Sequence, residues 1–181
     1  MSQDVLNIHH DLIERCRAGD QQAHYRLYKL YAKAMYNVAY RIVGGEDEAE
    51  DVLQEAFISA FKNLDLYRGD ATFGSWLKRI VVNKAINEVK KRKMELMPED
   101  EDFDVKEDDD DEVYRPELTV GRVKQAIESL PDGYRSVLSL YLLEGYDHQE
   151  IAEIMGITES TSKSQLNRSK KKLKEILTSV L

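Results

Sequence analysis

Cysteine is almost absent. The 181-residue chain has one, Cys16, which excludes an internal disulfide and any thiolate-built metal site such as a zinc finger. Proline and glycine are scarce, three and nine residues, which argues against a turn-rich β fold and for an all-α one. No apolar run nears the roughly 18 to 20 residues that cross a bilayer, and residues 1–11 lack the charged-then-apolar layout of a secretion signal. No membrane insertion is expected, and a cytoplasmic location is. The four histidines have no His-Glu-x-x-His spacing, and Gly44-Gly45 runs into Glu46 instead of the Lys and Ser/Thr of a phosphate loop. The acids at 108–111 lack the alternating ligands and central glycine of a calcium loop. No metal, no cofactor and no catalytic residue is expected, and the chain does not read as an enzyme.

Charge is plentiful and unevenly placed. Residues 95–115 hold twelve acids and two bases, net -10, in a chain whose total is -8, so everything else sums to +2. Within that remainder, residues 76–94 hold seven bases and one acid, and residues 156–181 six bases and two acids. A like-charged run with few apolar residues repels itself and cannot build a core, so 95–115 is expected to be a flexible acidic linker between lobes at 1–94 and 116–181.

Both lobes carry helical periodicity. Leu27, Leu30, Tyr31, Ala34, Met35, Val38, Ala39 and Ile42 recur at steps of three and four up to Gly44-Gly45. A second stripe, Ala49, Val52, Leu53, Ala56, Phe57, Ala60, Phe61 and Leu64, opens on Glu46, Asp47 and Glu48, acids that suit a helix N-terminus. A third runs through Phe73, Trp76, Leu77, Ile80, Val81 and Ala85 into Lys90-Lys91-Arg92-Lys93, and an earlier helix is expected over 5–16 with Cys16 buried beside Leu12. In the second lobe Val120, Val123, Ile127 and Leu130 predict a helix that stops before Pro131. Tyr134, Val137, Leu138, Tyr141 and Leu142 predict the next. Asp147 with Glu150 resembles a capping box and opens a short helix with Ile151, Ala152 and Met155 inward. Gly156-Ile157-Thr158 then turns into a basic helix over 159–179 with Leu166, Leu173, Ile176, Leu177 and Val180 on its apolar face. A short helix, a glycine turn and a longer basic helix are the layout of a helix-turn-helix.

Two segments have nucleic-acid chemistry. In the last helix Thr161, Lys163, Ser164, Gln165, Asn167 and Arg168 can meet base edges, and Lys170, Lys171, Lys172 and Lys174 follow for phosphates. In residues 67–76, Tyr67, Phe73 and Trp76 flank a loop punctuated by Gly69 and Gly74, beside Arg68 and ahead of a helix bearing Lys78, Arg79, Lys84 and Lys90. Rings beside cations are what single-stranded nucleic acid needs, although the helical spacing of Phe73 and Trp76 also fits a core.

The segments 47–57 (DEAEDVLQEAF), 67–83 (ending WLKRIVVN) and 130–173 (from Leu130-Pro131 through EIAEIMGI to Leu173) occur in this order. Together they resemble the bacterial RNA polymerase sigma factors, and the small size resembles the extracytoplasmic-function (ECF) group. The resemblance implies that the first lobe, sigma region two, binds the clamp helices of core RNA polymerase through Asp47, Glu48, Asp51, Gln54 and Glu55. It implies that residues 67–92 recognise and melt the promoter -10 element, with Tyr67, Arg68, Phe73, Trp76, Lys78, Arg79, Asn83, Lys84 and Lys90 at the DNA. It further implies that sigma region four reads the -35 element with Thr161, Lys163, Ser164, Gln165, Asn167, Arg168 and Lys171 and touches the polymerase flap, that an anti-sigma factor is a partner, and that the acidic linker threads toward the RNA channel. Two departures bear on which bases are read: Thr161-Ser162-Lys163-Ser164-Gln165 stands where the family often has Thr-Val-Lys-Ser-Arg, and Asn87 where Asp is common. A free-standing helix-turn-helix regulator would account for the second lobe and leave the aromatic loop unexplained; a protein-binding adaptor would make the basic helices incidental.

Overall fold

A computed structural model describes residues 9–96 and 118–179, the side chains of 94–96 excepted. The described residues are helical, with no strand, and the chain divides into two compact units, Met1–Lys91 and Arg92–Leu181. The acidic segment from residue 97 onward, and with it the linker expectation, lies outside the described residues.

In the first unit α1 (His10–Arg17) leads through a positive-φ Gly19 into α2 (Gln21–Val43). The part of the expected first helix before His10 falls largely outside the described residues. Asp20 caps α2 by accepting from the backbone N–H of Gln22 and Ala23, donors that a helix start otherwise leaves without partners. Gly44 ends it in the left-handed conformation at φ 75°, donating to the Tyr40 carbonyl at 2.8 Å, a backbone shape that costs glycine nothing. α3 (Glu46–Lys62) returns along α2, and a 3-10 turn (Leu64–Leu66) and the loop 67–72 lead to α4 (Phe73–Leu96). The core is Leu27, Met35, Val38, Ala39 and Ile42 of α2 with Ala49, Val52, Leu53, Ala56 and Phe57 of α3. Leu77, Val81, Val82, Ala85 and Ile86 complete it from α4, and Ile13 and Cys16 from α1. Leu30 and Ala34, expected inward, are exposed. The α2 stripe drifts around the helix because 3.6 residues per turn does not divide evenly into its steps.

In the second unit α5 (Val120–Glu128), α6 (Asp132–Leu138) and α7 (His148–Met155) pack on α8 (Glu159–Ser179). Thr119 caps α5 through the Arg122 N–H. Arg135, buried, ties the α5–α6 turn together by donating to the carbonyls of Glu128 and Leu130 and pairing with Asp132 at 2.6 Å, which is the condition under which a guanidinium tolerates burial. After Leu138 the helix widens into one π turn (Ser139–Leu143). That extra residue rotates the register, so Ser139 and Leu140 face inward while Tyr141 and Leu142, expected in the core, are exposed. In α7 the buried residues are Ile151 and Ile154, whereas Ala152 and Met155 are only partly covered.

Candidate nucleic-acid interface

Asp47, Glu48, Asp51, Gln54 and Glu55 lie at i, i+1, i+4, i+7 and i+8 of α3, a single stripe. Four are exposed; Glu48 is half-buried, its carboxylate folded over Gly45, where an added Cβ would collide with it. The acids reach across to α2: burial first, then the negative charge of Glu46, Glu50 and Asp47, raises the Tyr36 hydroxyl above its usual pKa. Val52, Leu53 and Phe57 turn inward, leaving a polar, acidic outer face.

The loop after the 3-10 turn is held by an aromatic cluster. The Tyr67 ring meets Phe73 edge-on at 5.5 Å and Trp76 at 5.4 Å, Phe73 meets Trp76 at 5.6 Å, and Tyr31 of α2 closes the group against Phe73 at 5.3 Å. Tyr67 and Phe73, both expected at the DNA, are 5% and 4% exposed. The loop curls back over α4, and their apolar area is worth more against each other than in water. Trp76 is partly covered and Arg68 is exposed. The Tyr67 hydroxyl donates to the Ala71 carbonyl at 2.8 Å, and burial raises its pKa above the ordinary value. Gly69 makes the bend at φ 80°.

At about 100° per residue, Trp76, Arg79, Asn83, Asn87 and Lys90 fall within one outward stripe of α4 (i, i+3, i+7, i+11, i+14). Arg79 is partly covered, and Asn83, Asn87 and Lys90 are exposed. Lys84 lies to one flank of this stripe, whereas Lys78, partly covered, falls on the opposite side of the helix in line with the buried Val82, Ala85 and Val89.

In the second unit Asp147 and Glu150 form the expected capping box, at 2.8 and 2.9 Å. Gly156 at φ 68° ends α7, and the Thr158 hydroxyl caps α8 by accepting from the Thr161 N–H at 3.0 Å. The inner face of α8 is more polar than expected: Ser162 and Ser169 are fully buried beside Leu166, and Val180 lies outside the described residues. The Ser162 hydroxyl is 2.9 Å from His148 Nδ1 of α7, whose ring stacks on Tyr141 at 4.6 Å. Lys163, Asn167 and Lys171 are exposed, with Ser164 and Arg168 partly covered. Lys163 pairs with Glu159 at 2.9 Å. Thr161 is engaged with Thr158, and Gln165 sits on the flank of the packed face, its Oε1 buried without a hydrogen-bond partner.

Residues 27–95 match the family Sigma-70 region 2 and residues 121–173 match Sigma-70, region 4. The ECF RNA polymerase sigma factor SigW of Bacillus subtilis is 32% identical over 180 residues, 91% of this chain and 94% of that protein. The chain belongs to the ECF RNA polymerase sigma factors. Members of this family are transcription initiation factors without enzymatic activity. A longer ECF sigma factor, SigE of Mycolicibacterium smegmatis, is 33% identical over 155 residues, 83% of this chain; the matched part spans 60% of that relative. In fold the chain is similar to the sigma factor RpoE of Bartonella quintana, solved in complex with the anti-sigma factor NepR. That likeness has a TM-score of 0.57 at 22% identity and covers 85% of this chain and 96% of the other. Among the described residues no helix is long and apolar enough to cross a membrane.

Arg17, whose guanidinium reaches the loop from α1, and the His148–Ser162 contact are not legible in the sequence. Neither leaves a local signal, because the partners lie 47 and 50 residues away in the first case and 14 in the second.

Proposed function

We propose that this sigma factor joins core RNA polymerase through the acidic stripe of α3, opens the -10 element with the loop 67–72 and the outward stripe of α4, and reads the -35 element with α8. The functional division follows residues 1–94, 95–115 and 116–181. The observation that carries the proposal is the α4 stripe: a partly exposed tryptophan, then Arg79, Asn83 and Lys90, all on one face beside a rigid aromatic loop. Unstacking a base costs a few kcal/mol, and stacking on an aromatic side chain returns roughly 1 to 3 kcal/mol. Capture of a flipped non-template base on Trp76 therefore offsets melting without nucleotide hydrolysis. Arg68, Lys78 and Lys84 supply further cations for phosphates, while Tyr67 and Phe73 buttress Trp76. On α8, Lys163, Ser164, Asn167, Arg168 and Lys171 face the major groove, with Thr161 and Gln165 setting the helix start and its packed flank. The protein works in the cytoplasm, and an anti-sigma factor is its partner, as for the similar sigma factor solved in complex with one.

Run-off transcription with purified core polymerase tests the reading, on promoter fragments that the wild-type holoenzyme selects from a random-sequence library. Specific transcripts are expected only when this protein is present. Trp76→Ala and Arg168→Ala are expected each to reduce them about tenfold or more, the loss of one good stacking or base contact. Tight duplex binding by the protein alone, with no polymerase-dependent transcript, would instead identify a free-standing regulator.

A further inference from the structure

We infer that Arg17, on α1 and outside every surface assigned above, is a positioning residue for promoter opening: it fixes the root of the strand-capturing loop. The inference rests on the reading of that loop as the -10 site. One guanidinium nitrogen donates to two backbone carbonyls of the turn that delivers the chain from α3 into the loop, Leu64 at 3.2 Å and Tyr67 at 2.5 Å. The other is paired with Glu14 one turn back on α1. Helix α1 is itself anchored, with Ile13 and Cys16 buried against the unit's core, so the cation is presented from a rigid support.

What it holds is the pivot of the site. Tyr67 touches Phe73 and Trp76 with its ring and Ala71 with its hydroxyl, so one residue spans the loop from root to far side and carries any shift of its backbone to Trp76. Hydrogen bonds from a cation are stronger than neutral ones, and the planar guanidinium places its donors in a fixed fork that the single ammonium point of lysine does not reproduce. The cationic charge near Tyr67 also opposes the rise that burial imposes on the phenol, consistent with close approach. Removing Arg17 leaves Trp76 and the basic stripe in place chemically but unfixed in height, so the defect belongs to strand capture and not to assembly with polymerase.

The test uses the full-length protein in holoenzyme and one selected promoter in two forms, fully duplex and with the -10 segment pre-opened by mismatches. Arg17→Ala is expected to lower duplex transcription roughly tenfold, about 1.4 kcal/mol, and to recover on the pre-opened template, where unstacking is already done. Arg17→Lys is expected to fall between Ala and wild type, and co-purification with core polymerase to stay unchanged in both. Wild-type output on duplex DNA from Arg17→Ala would overturn the inference. So would an equal loss on both templates together with lost polymerase binding, the signature of a merely structural residue. A wild-type protein that gives no specific transcript overturns the underlying site reading, and the inference with it.

Discussion

Asp20 shows how much one side chain is asked to do at the start of a helix. One carboxylate oxygen accepts from Gln22 and Ala23, while the other takes the Arg15 guanidinium at 2.6 and 2.9 Å. The Arg15 hydrogen bond, followed by that of the Ala23 N–H, holds the Asp20 carboxyl below its usual pKa. A carboxyl whose pKa is lower folded than unfolded stabilises the fold above its unfolded pKa, about 3.9, and stops doing so as pH falls through the folded value. Asp20→Asn keeps an acceptor for the cap and removes the charge. Thermal unfolding followed from pH 7 downward should therefore give the variant a lower melting temperature at neutral pH and a gap to wild type that closes below pH about 4. A gap that stays constant with pH would mean that the ion pair contributes nothing. Nothing next to Asp20 in the sequence marks this role, because its value comes from an arginine five positions back on a separate helix.

Elements were legible where their periodicity was long and their ends chemically marked, as in α3 with its three opening acids or α7 with its capping box. They were misread where the backbone departed from 3.6 residues per turn. The run Ser139-Leu140-Tyr141-Leu142-Leu143 is apolar enough to pass for a continuing helix face, and nothing in its composition announces the π turn that sends Tyr141 and Leu142 outward. The α8 interface was misread for a different reason: Ser162 stands where an apolar residue is usual in the resembling family, yet it is fully buried. Among the described residues, the hydroxyl there is compensated by His148 across the helix-turn-helix, at 2.9 Å. A double-mutant cycle should expose that pairing. Ser162→Ala and His148→Ala should each destabilise the protein by about 1 kcal/mol, with a coupling of about 0.5 to 1.5 kcal/mol in urea unfolding. Ser162→Val, although it restores the more usual residue type, should destabilise by roughly 1 to 3 kcal/mol, because a packed position receives extra bulk and His148 loses its partner. Additive single effects would place the two side chains in separate roles.

At the scale of the molecule the deciding quantity is the arrangement of charge. The acidic segment 95–115 carries -10 and the remainder +2, and that remainder includes the two basic stretches at 76–94 and 156–181. Both stretches contain residues proposed to meet DNA, and each neutralised phosphate releases counterions, so affinity for duplex DNA should fall steeply with salt. We propose that this anionic run, tethered within the same chain, competes for the same cations at a high local concentration. Replacing the acids of 99–112 with Asn and Gln removes the competitor without altering either lobe. In filter binding of free protein to duplex DNA, the neutralised variant should bind roughly tenfold tighter at 50 mM salt, and the advantage should shrink as salt shortens the Debye length toward a few ångströms. Shuffling the same acids within the segment should leave affinity at the wild-type level, since the repulsion depends on charge and not on order. In holoenzyme the neutralised variant should initiate less well, if the anion also occupies a channel built for nucleic acid. Unchanged DNA affinity and unchanged initiation together would reduce the segment to a tether whose length alone matters, and a deletion series would then show it: function lost only where the remaining residues no longer span the two promoter elements.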